Sequence, residues 1–179
     1  MSFKSAYDTK IFIIGMMGAG KSSVGMILSR LIGLPFIDTD ELIGVDKYFD
    51  SHSINEFRLE EINQINQTVK KEGSCVISIG GGAVLSKKNR DILSQYPCFF
   101  LRASIDILID RNNAQNTYRP LLEFSKDGKI ERKAFSALYN ERESHYLDLA
   151  HFIIDTDNLD ILNTAMSINN TISNHEIIS

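Results

Sequence analysis

The chain has 179 residues, 43% of them apolar, with a net charge of −4 and a pI near 5.6. That is material for one compact domain, 1–179, with a core about seven-tenths buried on folding. The acidic balance and scattered lysines and arginines exclude a general binder of nucleic acid or of anionic membrane surfaces, and favour a small solvated substrate.

The opening residues, MSFKSAYDTK, lack the apolar core of a signal peptide, and no run approaches the ~20 apolar residues of a membrane span. A cytoplasmic protein is expected, monomeric by default. Cys75 and Cys98 fall in runs that read as buried strands, so they are expected to be structural thiols in a reducing compartment.

The stretch from Ile11 to Arg30, IFIIGMMGAGKSSVGMILSR, reads as strand, glycine-rich turn and helix. Within it, Gly15 to Ser22 (GMMGAGKS) fits the pattern G-x-x-x-x-G-K-[ST]. Gly18 and Gly20 permit torsions that side chains forbid, so successive amides of this loop can turn inward around a phosphate. The following helix adds its positive end, Lys21 reaches for the outer phosphates, and Ser22 offers a hydroxyl to Mg²⁺. Nucleotide binding is the strongest expectation from the residues themselves.

The helix from about Lys21 to Ile32 ends at Gly33, and Leu34–Ile37 leads extended into Asp38-Thr39-Asp40. Two carboxylates at the C-terminal edge of a strand lie where ligands bind in open α/β sheets. Alternation along an extended chain would aim Asp38 and Asp40 the same way, for holding Mg²⁺ through water or for receiving a hydroxyl proton. The bland alternative is Asp40 as cap of a helix beginning at Glu41.

Glu41 to Lys71 reads as amphipathic helices, with Ser53 and Glu56 forming a capping box. Arg58 sits near the start of the second helix, where the dipole is already positive. A solvated or salt-bridged arginine is the plainer reading, and an anionic partner is the other. Ser74–Ile79 is a short strand running into Gly80-Gly81-Gly82, which would let a ligand touch the backbone directly.

Ser86–Gln95 reads as helix, Pro97–Leu101 as strand and Ser104–Arg111 as a helix capped by Ser104. Asn112 to Lys126 breaks the alternation and reads as a mobile loop carrying Arg119-Pro120-Leu121-Leu122. Its arginine either stabilises charge on a transferring phosphoryl group or is merely solvated. Lys129–Leu149 is a long helix whose Arg142 and His145 stand among glutamates, as surface salt bridges would. Phe152–Ile154 is a fifth strand and Leu159–Ile172 a closing helix. Five strands alternating with helices predict an α/β fold, a parallel sheet with helices on both faces.

In this order and spacing the motifs resemble the shikimate kinases, small P-loop kinases related to the nucleoside monophosphate kinases. The likeness rests on IGMMGAGKSSVG (Ile14–Gly25), FIDTD (Phe36–Asp40), FRLEE (Phe57–Glu61), VISIGGGAV (Val76–Val84), RPLL (Arg119–Leu122) and RESHY (Arg142–Tyr146), and covers nearly the whole chain. Gluconate kinases share the phosphate loop but not the DTD, GGG and RPLL set.

The resemblance implies ATP-dependent phosphorylation of the 3-hydroxyl of shikimate, in aromatic amino-acid biosynthesis. By position, Lys21, Asp40 and Arg119 would be catalytic. Gly18, Ala19, Gly20, Lys21, Ser22, Ser23, Arg111 and Arg119 would bind ATP, with Arg111 beside the adenine. Ser22 and Asp38 would hold Mg²⁺. Asp40, Arg58, Gly80, Gly81, Gly82 and Arg142 would bind shikimate, the two arginines taking its carboxylate. A substrate-binding segment spans about 41–72 and a lid about 112–126.

Two departures from the family pattern stand out. The chain between Asp40 and Arg58 is shorter, SINEFR replacing a longer stretch, and no arginine occurs in Asp155–Leu159. The alternatives are a related kinase with a changed pocket for another hydroxy acid, and an ATP-binding module without catalysis.

Overall fold

A computed structural model describes residues 8–114, 122, 124–125 and 127–178. The chain alternates strand and helix: β1 (Lys10–Ile14), α1 (Lys21–Ile32), β2 (Phe36–Asp38), α2 (Thr39–Ile43), α3 (Val45–Tyr48) and α4 (Ile54–Lys70) come first. Then follow β3 (Cys75–Ser78), a 3-10 turn (Ala83–Leu85), α5 (Lys87–Leu93), β4 (Cys98–Arg102), α6 (Ile105–Ala114), α7 (Arg132–Leu149), β5 (Phe152–Asp155) and α8 (Ile161–Asn174).

The five strands form one sheet in the order β2-β3-β1-β4-β5, every pair parallel. β1 is central and buried along its whole length, so both of its faces must be apolar. Ile11 and Ile13 face a core shared with Val24 and Leu28 of α1 and with Ala165 and Ile168 of α8. Phe12 and Ile14 face the opposite core with Ile65 of α4, Leu93 of α5 and Tyr146 of α7. The predicted parallel sheet with helices on both faces is the observed one. The chain passes from β1 to one side of the sheet and from β3 to the other, so the crevice above the end of β1 is the switch point where such sheets take ligands.

β1 starts one residue before the apolar run. Lys10 is fully buried, its ammonium held by the carbonyls of Lys71 (2.7 Å) and Gly73 (2.5 Å) and by Asp8. Those partners are what make a buried cation tolerable in a strand.

Three expectations need correction. Asp38, not Asp40, caps the helix after β2: its Oδ1 accepts the Asp40 amide at 2.9 Å and α2 already includes Thr39. Strand alternation therefore does not relate the two aspartates, since the chain turns helical between them. α6 continues to Ala114, so the first three residues of the expected loop are helical, and Asn112 is buried. The rest of that loop, with Arg119, lies largely outside the described residues. Gly82 leads into a 3-10 turn that the sequence did not signal, clamped by Arg90 donating to the carbonyls of Val84 (2.7 Å) and Leu85 (2.8 Å). Both cysteines are free and buried, as expected. Among the described residues no helix is long and apolar enough to cross a membrane.

Candidate active site

The loop from Gly15 to Gly20 joins β1 to α1. Gly18 and Gly20 take φ of 82° and 85°, the left-handed region that makes glycine necessary. Gly18 is doubly constrained, because a Cβ there would collide with the Asn112 amide nitrogen of α6. That nitrogen also donates to the Met17 carbonyl at 3.0 Å and so fixes the loop's rim. Gly20 is the N-cap of α1 and supplies no side-chain acceptor. The first amides of the helix are thus left for an anion, and α1 is long enough for its dipole to help.

Lys21 lies beside this cradle, its ammonium donating to the Met16 carbonyl at 3.2 Å. Ser22 donates to Asp38 Oδ2 at 2.5 Å, while the other oxygen of Asp38 caps α2. A hydroxyl and a buried carboxylate side by side are hard oxygen donors. Among the described residues no group of three or more acidic, histidine or cysteine side chains gathers for a metal, here or elsewhere. A site with so few protein oxygens suits Mg²⁺, which keeps several waters and takes its remaining ligands from substrate phosphates.

Across the crevice, Gly80 to Gly82 follow β3, and each position is closely approached. A Cβ on Gly80 would meet Glu61 Oε1 at 2.5 Å and Asp40 Oδ1 at 2.7 Å. One on Gly82 would meet both terminal nitrogens of Arg58, Nη1 at 2.6 Å. One on Gly81 would press the phosphate-loop backbone at Gly15 O and Met17 N, both at 3.3 Å. The triplet therefore admits protein side chains against the backbone, in addition to whatever ligand the crevice takes. It gathers Asp40, Arg58 and Glu61 within one small volume.

Arg58 pairs with Glu61 one helical turn on in α4. This satisfies the arginine that stood oddly at a positive helix end. Glu61 is 1% exposed, and burial pushes its carboxyl above its ordinary value, against the pull of Arg58 and, more weakly, of Arg142, and with a push from Asp40.

Arg142 is not the surface residue that its glutamate-rich surroundings suggested. It is 2% exposed, its Nε has no hydrogen-bond partner, and its Nη1 points to Met16 Sδ at 3.7 Å. Among the described residues it makes no ion pair. A buried guanidinium in that condition is costly unless an anion joins it. One turn further along α7, the Tyr146 hydroxyl donates to the Gly81 carbonyl at 2.5 Å. Burial raises its pKa far above the ordinary tyrosine value, so it stays a neutral donor.

On the other side of the phosphate loop a cavity of about 510 Å³ is lined by Gly18, Ala19, Gly20, Ser23, Arg111 and Thr156, among others. Arg111 donates to the Thr156 hydroxyl (3.1 Å) and carbonyl (2.7 Å), which fixes it at the cavity wall. In place of the missing arginine after β5, this wall has Thr156 and apolar Leu159.

The structure thus brings the phosphate-loop residues, Asp38, Asp40, Arg58, Gly80–Gly82, Arg111 and Arg142 to one sheet edge, and leaves only Arg119 unplaced. Sequence reasoning singled out neither Glu61 nor Tyr146 nor Asn112 as part of the site. The first two lie three and four residues after Arg58 and Arg142 on the same helix faces, which was the available signal. Asn112 carried none.

A family model described as shikimate kinase matches residues 17–173. A shikimate kinase of Actinobacillus pleuropneumoniae serotype 5b is 35% identical over 159 residues, 85% of this chain and 88% of that protein. One from Buchnera aphidicola subsp. Schizaphis graminum is 35% identical over 170 residues, covering 91% and 95%. Among solved structures, a shikimate kinase from Acinetobacter baumannii in complex with shikimate superposes with a TM-score of 0.83 at 26% identity, covering 94% of each chain. A gluconokinase from Sinorhizobium meliloti shares the fold at 17% identity and a TM-score of 0.59.

Proposed function

The chain belongs to the shikimate kinase family, and we propose that it transfers the γ-phosphoryl group of ATP to the 3-hydroxyl of shikimate, giving shikimate 3-phosphate for aromatic amino-acid biosynthesis. The observation that carries this reading is Arg142: a buried guanidinium that makes no ion pair among the described residues, in the same crevice as Arg58, has room for a carboxylate from the ligand. Planar guanidiniums meet carboxylates through paired hydrogen bonds, so two of them make a reader for a small carboxylic acid.

In this reading the amides of Gly18 to Ser23 and the Lys21 ammonium hold the phosphates of ATP, and Arg111 borders the adenine. Asp40 orients the acceptor hydroxyl, while Arg58 and Arg142 grip the acid's carboxylate over Gly80–Gly82. Transfer through a loose transition state needs alignment and charge stabilisation more than a strong base, so Asp40 positions the alcohol more than it deprotonates it. Ser22, and Asp38 through water, would hold Mg²⁺, which neutralises charge on the phosphates. Arg119, carried by the lid, adds its charge at the outer phosphates.

Coupled ADP-release assays with ATP and Mg²⁺, run with shikimate, with gluconate and without acceptor, test the reading. Turnover with shikimate alone is expected. Turnover only with gluconate, or nucleotide binding with no acceptor-dependent turnover, would overturn it.

A further inference from the structure

We propose that Met16 is a positioning residue that couples the nucleotide site to the acid site, so that each substrate raises the affinity for the other; the inference rests on the assignment of those two sites above. Met16 is 1% exposed and touches both sides at once. Its carbonyl accepts from the Lys21 ammonium at 3.2 Å and from the Ala19 amide at 3.1 Å. Its sulfur accepts from Arg142 Nη1 at 3.7 Å and lies 4.0 Å from the Tyr146 hydroxyl, whose one proton goes to the Gly81 carbonyl. Gly81 in turn lies so close to the phosphate loop that a Cβ on it would meet Gly15 O and Met17 N, the two flanks of Met16.

The chemistry of the contacts suits a coupler. A thioether is a weak, polarisable acceptor, strong enough to orient a guanidinium and weak enough to yield it to a carboxylate. When ATP arrives, the Lys21 ammonium exchanges the Met16 carbonyl for phosphate oxygens. The Met16 carbonyl then keeps only the Ala19 amide at 3.1 Å, so its peptide can turn about that bond and carry the sulfur against Arg142 and Tyr146. A carboxylate arriving at Arg142 works the same contacts in reverse. Two ligands that bias one shared element must affect each other by the same factor.

The test is the ratio of the shikimate dissociation constants measured by calorimetry without and with Mg·AMPPNP. In the wild type this ratio is expected to be at least about 5-fold. Met16→Leu keeps size and apolarity but removes the sulfur acceptor. It is expected to bring the ratio below about 2-fold while each ligand alone still binds. A Met16→Leu protein that keeps the full ratio, or a wild type with none, overturns the inference. Should Met16→Leu fail to fold, Tyr146→Phe removes the hydroxyl from the same sulfur and is expected to lower the ratio likewise; retention of the ratio there counts against it.

A second readout needs no acid at all. Mg·AMPPNP alone should shift the Nε–Hε resonance of Arg142 in the wild type and leave it unmoved in Met16→Leu. Equal shifts in both proteins would overturn the coupling. If the wild type does not bind shikimate, the acid assignment fails and this resonance still decides the coupling.

Discussion

The Arg58 guanidinium lies against Gly82 so closely that a Cβ on the glycine would meet both of its terminal nitrogens. Gly82 itself has an ordinary φ of −93°, so the glycine is required there by the arginine and not by backbone torsion.

Gly82→Ala should therefore fold normally yet push Arg58 aside. KM for shikimate is expected to rise by about 10-fold, on the scale of a charge-assisted hydrogen bond, with a smaller change in KM for ATP. Steady-state kinetics beside a thermal melt checks this; an unchanged KM for the acid would mean that Arg58 does not contact it.

Lys21→Ala removes the ammonium beside the phosphate cradle, and Arg119→Ala removes the charge assigned to the lid. Each is expected to lower kcat by on the order of 10²-fold with folding intact. A folded Arg119→Ala protein turning over at the wild-type rate would remove that residue from catalysis.

Burial raises the Glu61 carboxyl above its ordinary 4.5, although Arg58 pulls it down. The folded protein then holds this proton more tightly than the unfolded chain. The contribution to stability is full below 4.5 and is lost as pH rises through the raised value. Glu61→Gln does not titrate, so its Tm minus that of the wild type should grow more positive across that window. Melting curves from pH 4 upward check it, and a difference that is flat or falls with pH would contradict the raised value.

Cys75 and Cys98 are buried, and burial raises the pKa of both thiols. Thiolates are the reactive form, so neither should react with a disulfide reagent in the native protein, and both should do so once it is unfolded. Titration before and after denaturant measures this; fast native labelling of either cysteine would show that its strand opens.

Local spacing made much of the molecule legible. GMMGAGKS between an apolar run and a helical pattern specified the phosphate loop, because glycine torsions and a helix N-terminus are properties of adjacent residues. The βα alternation specified a parallel sheet, because a crossover between parallel strands needs a helix-length connection. Ser53 and Glu56 announced the start of α4, and both side-chain bonds of that capping box are present.

Only the tertiary structure decided which charges are buried and whom they meet. Arg142 among its glutamates reads as a surface residue, yet packing of α7 against the phosphate loop seals it beside Met16. The three glycines read as room for a ligand, and they also make room for Asp40, Glu61 and Arg58 arriving from two other helices. Burial and contact between residues tens of positions apart depend on how elements pack. Hydrophobic periodicity along the chain records which face of an element is apolar, and says nothing of which polar groups that packing traps together.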